Sequence, residues 1–82
     1  MSLEKPTQTL SHQVTQTLEC YFEQLNGEDP VDLHALLISQ VEKPLLQAVL
    51  RHTKSNQSKA AKVLGLSRGT LRKKLSLYQL DN

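Results

Sequence analysis

Apolar positions in the first part of the chain recur at helical spacing. From residue 10 to residue 25, an apolar side chain returns every third or fourth position, and together these side chains form a stripe: Leu10, Val14, Leu18, Tyr21, Phe22 and Leu25. Asn26 and Gly27 follow the stripe and are a typical helix stop and turn signal. The pattern predicts a first helix that starts at residue 10 and ends at this turn.

A second and longer apolar segment predicts a helix from Pro30 to about Thr53. Asp29 followed by Pro30 is typical of an N-cap with proline at the first helical position. Asp32 adds negative charge at the end of the helix where the dipole favours it. Pro44 lies inside the segment, and because helical periodicity continues past it, we expect a kink there and not an end.

The apolar residues of this second helix are spread over more than one face: Val31, Leu33, Leu36, Leu37, Ile38, Val41, Leu45, Leu46, Val49 and Leu50. Such a helix must be covered on several sides, which a chain of 82 residues can hardly achieve alone. A second copy of the chain is the simplest cover. Residues 10–53 are therefore predicted to form a helical dimerisation core, which follows a polar and disordered tail at residues 1–9.

The segment NQSKAAKVLGLSRGTLRKKLSLY, residues 56–78, combines a short helix, a glycine turn and a basic helix. Asn56 can cap a third helix, and Gly65 can adopt the positive φ that ends it. Ser67 can cap a fourth helix from Arg68 to about Tyr78. This order is typical of a helix-turn-helix. With no strand pattern along the chain, the fold class is all-α, with four helices.

Charge divides the chain more sharply than its formal net charge of +2 suggests. Residues 1–50 carry two basic side chains and seven acidic ones, a balance of −5, whereas residues 51–82 carry eight basic side chains and one acidic one, a balance of +7. Concentrated positive charge of this kind indicates binding to a polyanion. We therefore expect residues 54–82, the helix-turn-helix region, to bind double-stranded DNA.

The expected contacts follow from positions on the two motif helices. Arg68 opens the fourth helix, where a guanidinium can bridge O6 and N7 of guanine, and it is the expected base reader. Thr70 in the first turn can donate to a phosphate. Further phosphate contacts are expected at the start of the third helix, where free amides favour an anion, and along the fourth helix: Asn56, Ser58, Lys59, Arg72, Lys73 and Lys74.

Other kinds of site are not supported by the sequence. His12, His34 and His52 are far apart, with no cysteine or carboxylate at ligand spacing, so no metal site is expected. The single cysteine, Cys20, cannot close an intrachain disulfide, which indicates a reducing compartment. No histidine is placed to activate its thiol, so Cys20 is not expected to be a nucleophile. We expect no catalytic activity and no cofactor. Apolar runs of membrane-spanning length and a signal-peptide core are both missing, so a cytoplasmic protein of the nucleoid is expected.

Three segments in order, YFEQLNGED, VEKPLL and the motif at residues 56–78, resemble the Fis family, the factor for inversion stimulation. The resemblance covers about residues 10–82. It implies an all-helical homodimer whose first two helices intertwine and whose two helix-turn-helix units meet successive major grooves. It also implies reading helices closer together than one turn of B-DNA, so that binding bends the duplex and compresses its minor groove. The implied function is a sequence-tolerant, nucleoid-associated regulator of transcription.

Position by position, the resemblance implies guanine reading by Arg68 and backbone contacts by Asn56, Ser58, Lys59, Thr70, Lys73 and Lys74. Ser67 stands where the best-known members have asparagine, near a base, and Lys59 replaces a frequent arginine. The mobile hairpin arms of the family, which touch DNA recombinases, would lie before residue 10, where this chain has a brief polar segment. A DNA recombinase and RNA polymerase are the further candidate partners.

Two alternative functions remain open at the level of sequence. The C-terminal motif also occurs, in similar form, at the end of bacterial enhancer-binding activators, so the chain could be the detached effector domain of such an activator. A helical dimerisation module that does not bind DNA is the alternative from a different class.

Overall fold

The structure, a computed structural model, describes residues 9–81. This part of the chain contains four helices and no strand: α1 at Leu10–Gln24, α2 at Leu33–His52, α3 at Gln57–Leu64 and α4 at Arg68–Leu77. The all-α prediction and the order of its helices are confirmed. Most of the predicted tail at residues 1–9 lies outside the described residues. Contacts group the chain into two compact units, Met1–Leu33 and His34–Asn82.

Helix α1 begins one residue after Thr9, which is its N-cap and not part of a tail. The Thr9 side chain accepts a hydrogen bond from the backbone amide of His12 at 3.0 Å, satisfying one of the free donors of the first turn. At the other end, Asn26 and Gly27 adopt left-handed φ values of 54° and 88°, confirming the predicted turn. No residue of α1 is buried within the chain, and the thiol of Cys20 is exposed.

The start of α2 differs from the prediction. The helix begins at Leu33 and not at Pro30, because Asp32 has a left-handed φ of 54° that an α-helix cannot include. The interpretation of Asp29 as an N-cap with Pro30 at the first helical position was therefore wrong. The rest of the prediction is confirmed, since α2 continues through Pro44 and ends at His52. The kink at Pro44 stays a prediction.

The second unit is organised around a small apolar core. Leu46 of α2, Ala60 and Ala61 of α3, and Leu71 and Leu75 of α4 are buried together. The two alanines have no bulk beyond Cβ, so they allow helices to approach closely. Each fully buried leucine contributes about 2 kcal/mol from apolar area removed from water. Through Leu46 the second half of α2 supports the helix pair that follows it.

A tight turn connects α2 to α3. Lys54 and Ser55 both adopt left-handed backbone angles, with φ of 55° and 66°, a conformation that costs energy for residues with a side chain. The amide of Ser55 donates to the carbonyl of Leu50 at 2.8 Å, and the hydroxyl of buried Thr53 donates to the same carbonyl at 3.4 Å. These bonds end α2 and bring Asn56 into position as the cap of α3.

Four large apolar side chains of α2 are left exposed by the chain itself. Leu36, Ile38, Val41 and Leu45 are each 40–47% exposed, and Leu46 is the one buried residue of this helix. The apolar faces that led us to expect a covering partner are thus open to solvent in a single chain.

Candidate nucleic-acid interface

Both helices of the C-terminal pair begin at a side-chain cap. The Asn56 side chain accepts from the backbone amide of Lys59 at 3.1 Å, and the Ser67 hydroxyl accepts from the backbone amide of Thr70 at 3.1 Å. Each cap fixes where its helix starts by satisfying an amide that has no partner within the helix. The two caps predicted for this helix pair are confirmed.

Gly65 ends α3 in a left-handed conformation with φ of 74°. Its amide bonds back to Ala61 and Lys62, and the amide of Leu66 donates to Ala61 at 2.9 Å. A Cβ built at Gly65 would meet nothing within 4 Å, so glycine is favoured here by the backbone angle and not by lack of space. This turn places the beginning of α4 next to the beginning of α3.

The first turns of α3 and α4 meet through two predicted contact residues. The Arg68 guanidinium donates to the hydroxyl of Ser58 at 3.5 Å, which is a long hydrogen bond. The hydroxyl of Ser67 also lies 2.9 Å from that of Thr70 and donates to it. All four side chains are exposed. The expected base reader and an expected phosphate contact therefore lie side by side, although they come from different helices.

Along α4, one face is buried and the opposite face is positive. Leu71 and Leu75, one turn apart, are buried in the core of the second unit, so the helix is fixed by its apolar side. Arg72 and Lys73 are exposed, and neither forms an ion pair with any residue between 9 and 81. Their charges are thus available to a polyanion in solution.

Lys74 does not follow this pattern. Its Nζ lies 2.8 Å from Oε2 of Glu42 on α2, with the two side chains 31% and 20% exposed. Lys74, an expected phosphate contact, is therefore already paired in the free chain, because the side of α4 that carries it faces an acidic side chain of α2. Its contact with phosphate stays a prediction.

Glu42 is also bound by Tyr78, the residue that caps the C-terminal end of α4. The Tyr78 hydroxyl donates to Oε1 of Glu42 at 2.8 Å, so each carboxylate oxygen has its own donor. The hydrogen bond from Lys74, followed by the one from Tyr78, lowers the pKa of Glu42. The bond to Glu42 in turn raises the pKa of Tyr78. The ionised glutamate and the neutral tyrosine are the forms that this contact favours.

Sequence reasoning did not identify Glu42 as a residue that touches the candidate interface. Its partner Tyr78 is 36 positions away, so no local spacing connects them. The sequence does show that Lys74 and Tyr78 are four residues apart. This spacing places both side chains on one side of a helix, where they can bind the same group. Among the described residues, no cluster of three or more His, Cys, Asp or Glu side chains could hold a metal ion, and no helix is long and apolar enough to cross a membrane.

These features define an all-helical protein with a C-terminal helix-turn-helix, in which a capped and basic helix is exposed on one side. Two family models match the chain: one described as bacterial regulatory protein, Fis family, over residues 37–78, and one described as DNA-binding protein Fis N-terminal domain, over residues 2–30. The chain belongs to the Fis family, as the sequence motifs indicated.

Curated relatives agree with this assignment. The protein named DNA-binding protein Fis from Proteus mirabilis (strain HI4320) is 49% identical over 72 residues, which are 88% of this chain and 74% of the relative. Its counterpart of the same name from Actinobacillus succinogenes is 52% identical over 72 residues, covering 88% of this chain and 73% of the relative. A further protein of this name, from Yersinia pestis (strain Pestoides F), is 49% identical over the same length.

Proposed function

We propose that this chain is a nucleoid-associated protein that binds double-stranded DNA as a homodimer, bends it and regulates transcription. The observation that carries the proposal is the exposed first turn of α4, where Arg68 lies beside Ser58 and the cations Arg72 and Lys73 continue along the same helix. Family membership supports the same function, because the relatives are named DNA-binding proteins. The protein acts by binding and carries out no catalytic step.

In this proposal Arg68 reads guanine in the major groove, while the surrounding residues hold the phosphate backbone. Asn56 and Lys59 bring the first turn of α3, with its free amides, to one phosphate. Arg72 and Lys73 neutralise others. Ser58, Ser67 and Thr70 provide hydroxyls beside these charges. The contribution of Lys74 depends on Glu42, which binds its ammonium group in the free protein.

A homodimer is supported by the apolar surface that one chain leaves open. No residue of α1 is buried, and four large apolar side chains of α2 are 40–47% exposed. Exposed apolar area of this extent on adjacent helical turns is typical of an interaction surface. Residues 9–81 do not cover it themselves, and a second copy of the chain is the occupant that we propose. In the proposal, residues 10–53 form this dimer core.

Sedimentation tests the dimer. The wild-type chain should sediment as a dimer, and Val41→Asp should disrupt it, because an unpaired buried charge costs several kcal/mol. Gln40→Asp on the same helix, at a polar and exposed position, is the matched control and should leave the dimer intact. A folded and stable wild-type monomer would contradict the proposal.

DNA binding is tested by gel shift at moderate salt with a nonspecific competitor of equal length. A retarded complex that survives the competitor supports the proposal, and its absence would favour a helical dimerisation module without DNA binding. Bending is tested with circularly permuted fragments, whose mobility should depend on the position of the site. Central A·T-rich DNA should bind better than G·C-rich DNA, because its minor groove narrows readily.

The protein partners in the proposal are RNA polymerase and a DNA recombinase. Both follow from family membership, and each is tested directly: the first by transcription from a promoter with and without the protein, the second by an inversion assay on a supercoiled substrate. The effector domain of an enhancer-binding activator is the weaker candidate, because the match at residues 2–30 is to the Fis N-terminal domain.

A further inference from the structure

Two adjacent lysines of α4 have different surroundings. Lys73 is exposed and has no ion-pair partner in the described part of the chain, whereas Lys74 forms a 2.8 Å ion pair with Glu42 of α2. Both would be counted as phosphate contacts from their sequence alone. Between residues 9 and 81, the ammonium group of Lys74 has an ion-pair partner and that of Lys73 has none.

The Glu42 carboxylate is held firmly in this position. Its second oxygen accepts from the Tyr78 hydroxyl at 2.8 Å, so the carboxylate cannot rotate away without losing a hydrogen bond. Glu42 is 20% exposed and Lys74 31% exposed. Partial burial means that the attraction between them is screened less by salt than it would be in an open surface pair. If Lys74 moved to a DNA phosphate, the Glu42 carboxylate would keep its negative charge but lose one of its two partners.

We propose that Glu42 competes with DNA phosphate for Lys74 and thereby limits the number of phosphates that α4 neutralises. This inference rests on the proposed DNA-binding function. With Glu42 present, α4 grips the backbone through Arg72 and Lys73, and Lys74 remains on the side of α2. Glu42 is a positioning residue in this mechanism, because it acts on DNA through Lys74 and touches no phosphate itself.

The salt dependence of binding measures this effect, because each neutralised phosphate releases counterions. The slope of log K against log salt changes by about 0.9 for each phosphate contact on B-DNA. Glu42→Gln removes the negative charge but keeps the side-chain size and an oxygen that can accept from Tyr78. We expect this variant to bind more tightly at low salt, with a slope steeper by about 0.9 per chain that contacts the duplex.

Four control variants isolate Lys74. Lys74→Gln in the otherwise unchanged chain should leave the slope as in the wild type, and adding Lys74→Gln to Glu42→Gln should return the steeper slope to the wild-type value. Lys73→Ala should flatten the slope by about 0.9 per chain that contacts the duplex, which shows that the assay detects one contact in each chain. Asp81→Asn changes the net charge by the same amount as Glu42→Gln but releases no lysine in the described structure, so its slope should not change.

Fluorescence anisotropy with one labelled duplex over a series of salt concentrations gives the slopes of the wild type and of all five variants. An unchanged slope in Glu42→Gln, or weaker binding at every salt concentration, would overturn the inference. So would a flatter slope in Lys74→Gln, since Lys74 would then contact phosphate with Glu42 in place. The Lys74→Gln result does not depend on whether Glu42→Gln folds. If the wild-type chain did not bind the duplex at all, the proposed function would be what failed.

Discussion

Replacement of Arg68 by alanine should separate sequence reading from general attachment to DNA. In the free protein, Arg68 is exposed and its hydrogen bond to Ser58 is 3.5 Å long. Loss of such a bond at the surface changes the free energy of unfolding by no more than about 0.5 kcal/mol. Arg68→Ala should therefore fold as the wild type does, and any effect on DNA binding can be assigned to the interface.

The expected effect on binding is much larger than the effect on folding. A bidentate arginine contact with guanine contributes about 1–3 kcal/mol of discrimination, which corresponds to a loss of about 5- to 150-fold in affinity for a preferred site. On random DNA the loss should be small, because the wrong base does not accept both bonds. Lys73→Ala is the matched comparison on the same helix and should weaken both DNAs alike, because a phosphate contact carries no sequence information.

Competition binding provides the measurement. A labelled duplex that contains a preferred site is titrated at fixed salt with each variant and is then competed with random DNA of the same length. The ratio of the two affinities should fall for Arg68→Ala and should stay constant for Lys73→Ala. Equal weakening of all sequences by Arg68→Ala would refute the reasoning, because Arg68 would then be a phosphate contact.

The other predictions concern stability. Ser55→Gly should raise the free energy of unfolding by roughly 1 kcal/mol in a urea titration, because φ of 66° is costly for serine. A lower free energy of unfolding in this variant would show that the strain is absent. Leu71→Ala should lower the free energy of unfolding by about 2–5 kcal/mol in the same assay, because it opens a cavity in the core. A smaller decrease would mean that the neighbouring side chains move in to fill the cavity. Folding lowers the pKa of Glu42, so its contribution to stability is present above the ordinary glutamate pKa of about 4.3 and is lost as the pH falls further. The wild type should therefore be more stable than Glu42→Gln above that pH, and the two stabilities should converge as the pH falls below it. A difference that is the same at every pH would contradict the assignment.

The helix-turn-helix could be predicted closely because its signals are local. Asn56, Gly65 and Ser67 each determine a helix end within a few residues of themselves, and the structure has those ends where the sequence indicated them. The start of α2 was predicted wrongly. Asp29 followed by Pro30 is an equally plausible start from the sequence, whereas in the structure Asp32 has a left-handed φ and the helix begins after it. Local residue preferences alone do not decide between such alternatives.

The electrostatic part of the candidate site depends on contacts between distant residues, and the sequence indicated it less well. Exposure of Arg72 and Lys73 follows from their spacing around Leu71 and Leu75, which are buried. The ion pair of Lys74 does not follow from any spacing within α4, because it depends on which residue of α2 is packed opposite. A basic run in a sequence therefore gives an upper limit to the number of free charges in the folded protein.

The hydrogen bonds of Ser67 restrict how this family member can change its target preference through evolution or engineering. Its hydroxyl accepts from the amide of Thr70 and so begins α4, while the family resemblance places the same side chain near a base. Substitutions that keep the helix intact must come from the few residues that cap well, chiefly serine, threonine, asparagine and aspartate. Aspartate would add a negative charge beside the DNA phosphates and is therefore disfavoured. Serine, threonine and asparagine remain. A random library at position 67 selected for DNA binding should therefore return a narrow set of short polar residues, whatever target sequence is used for selection.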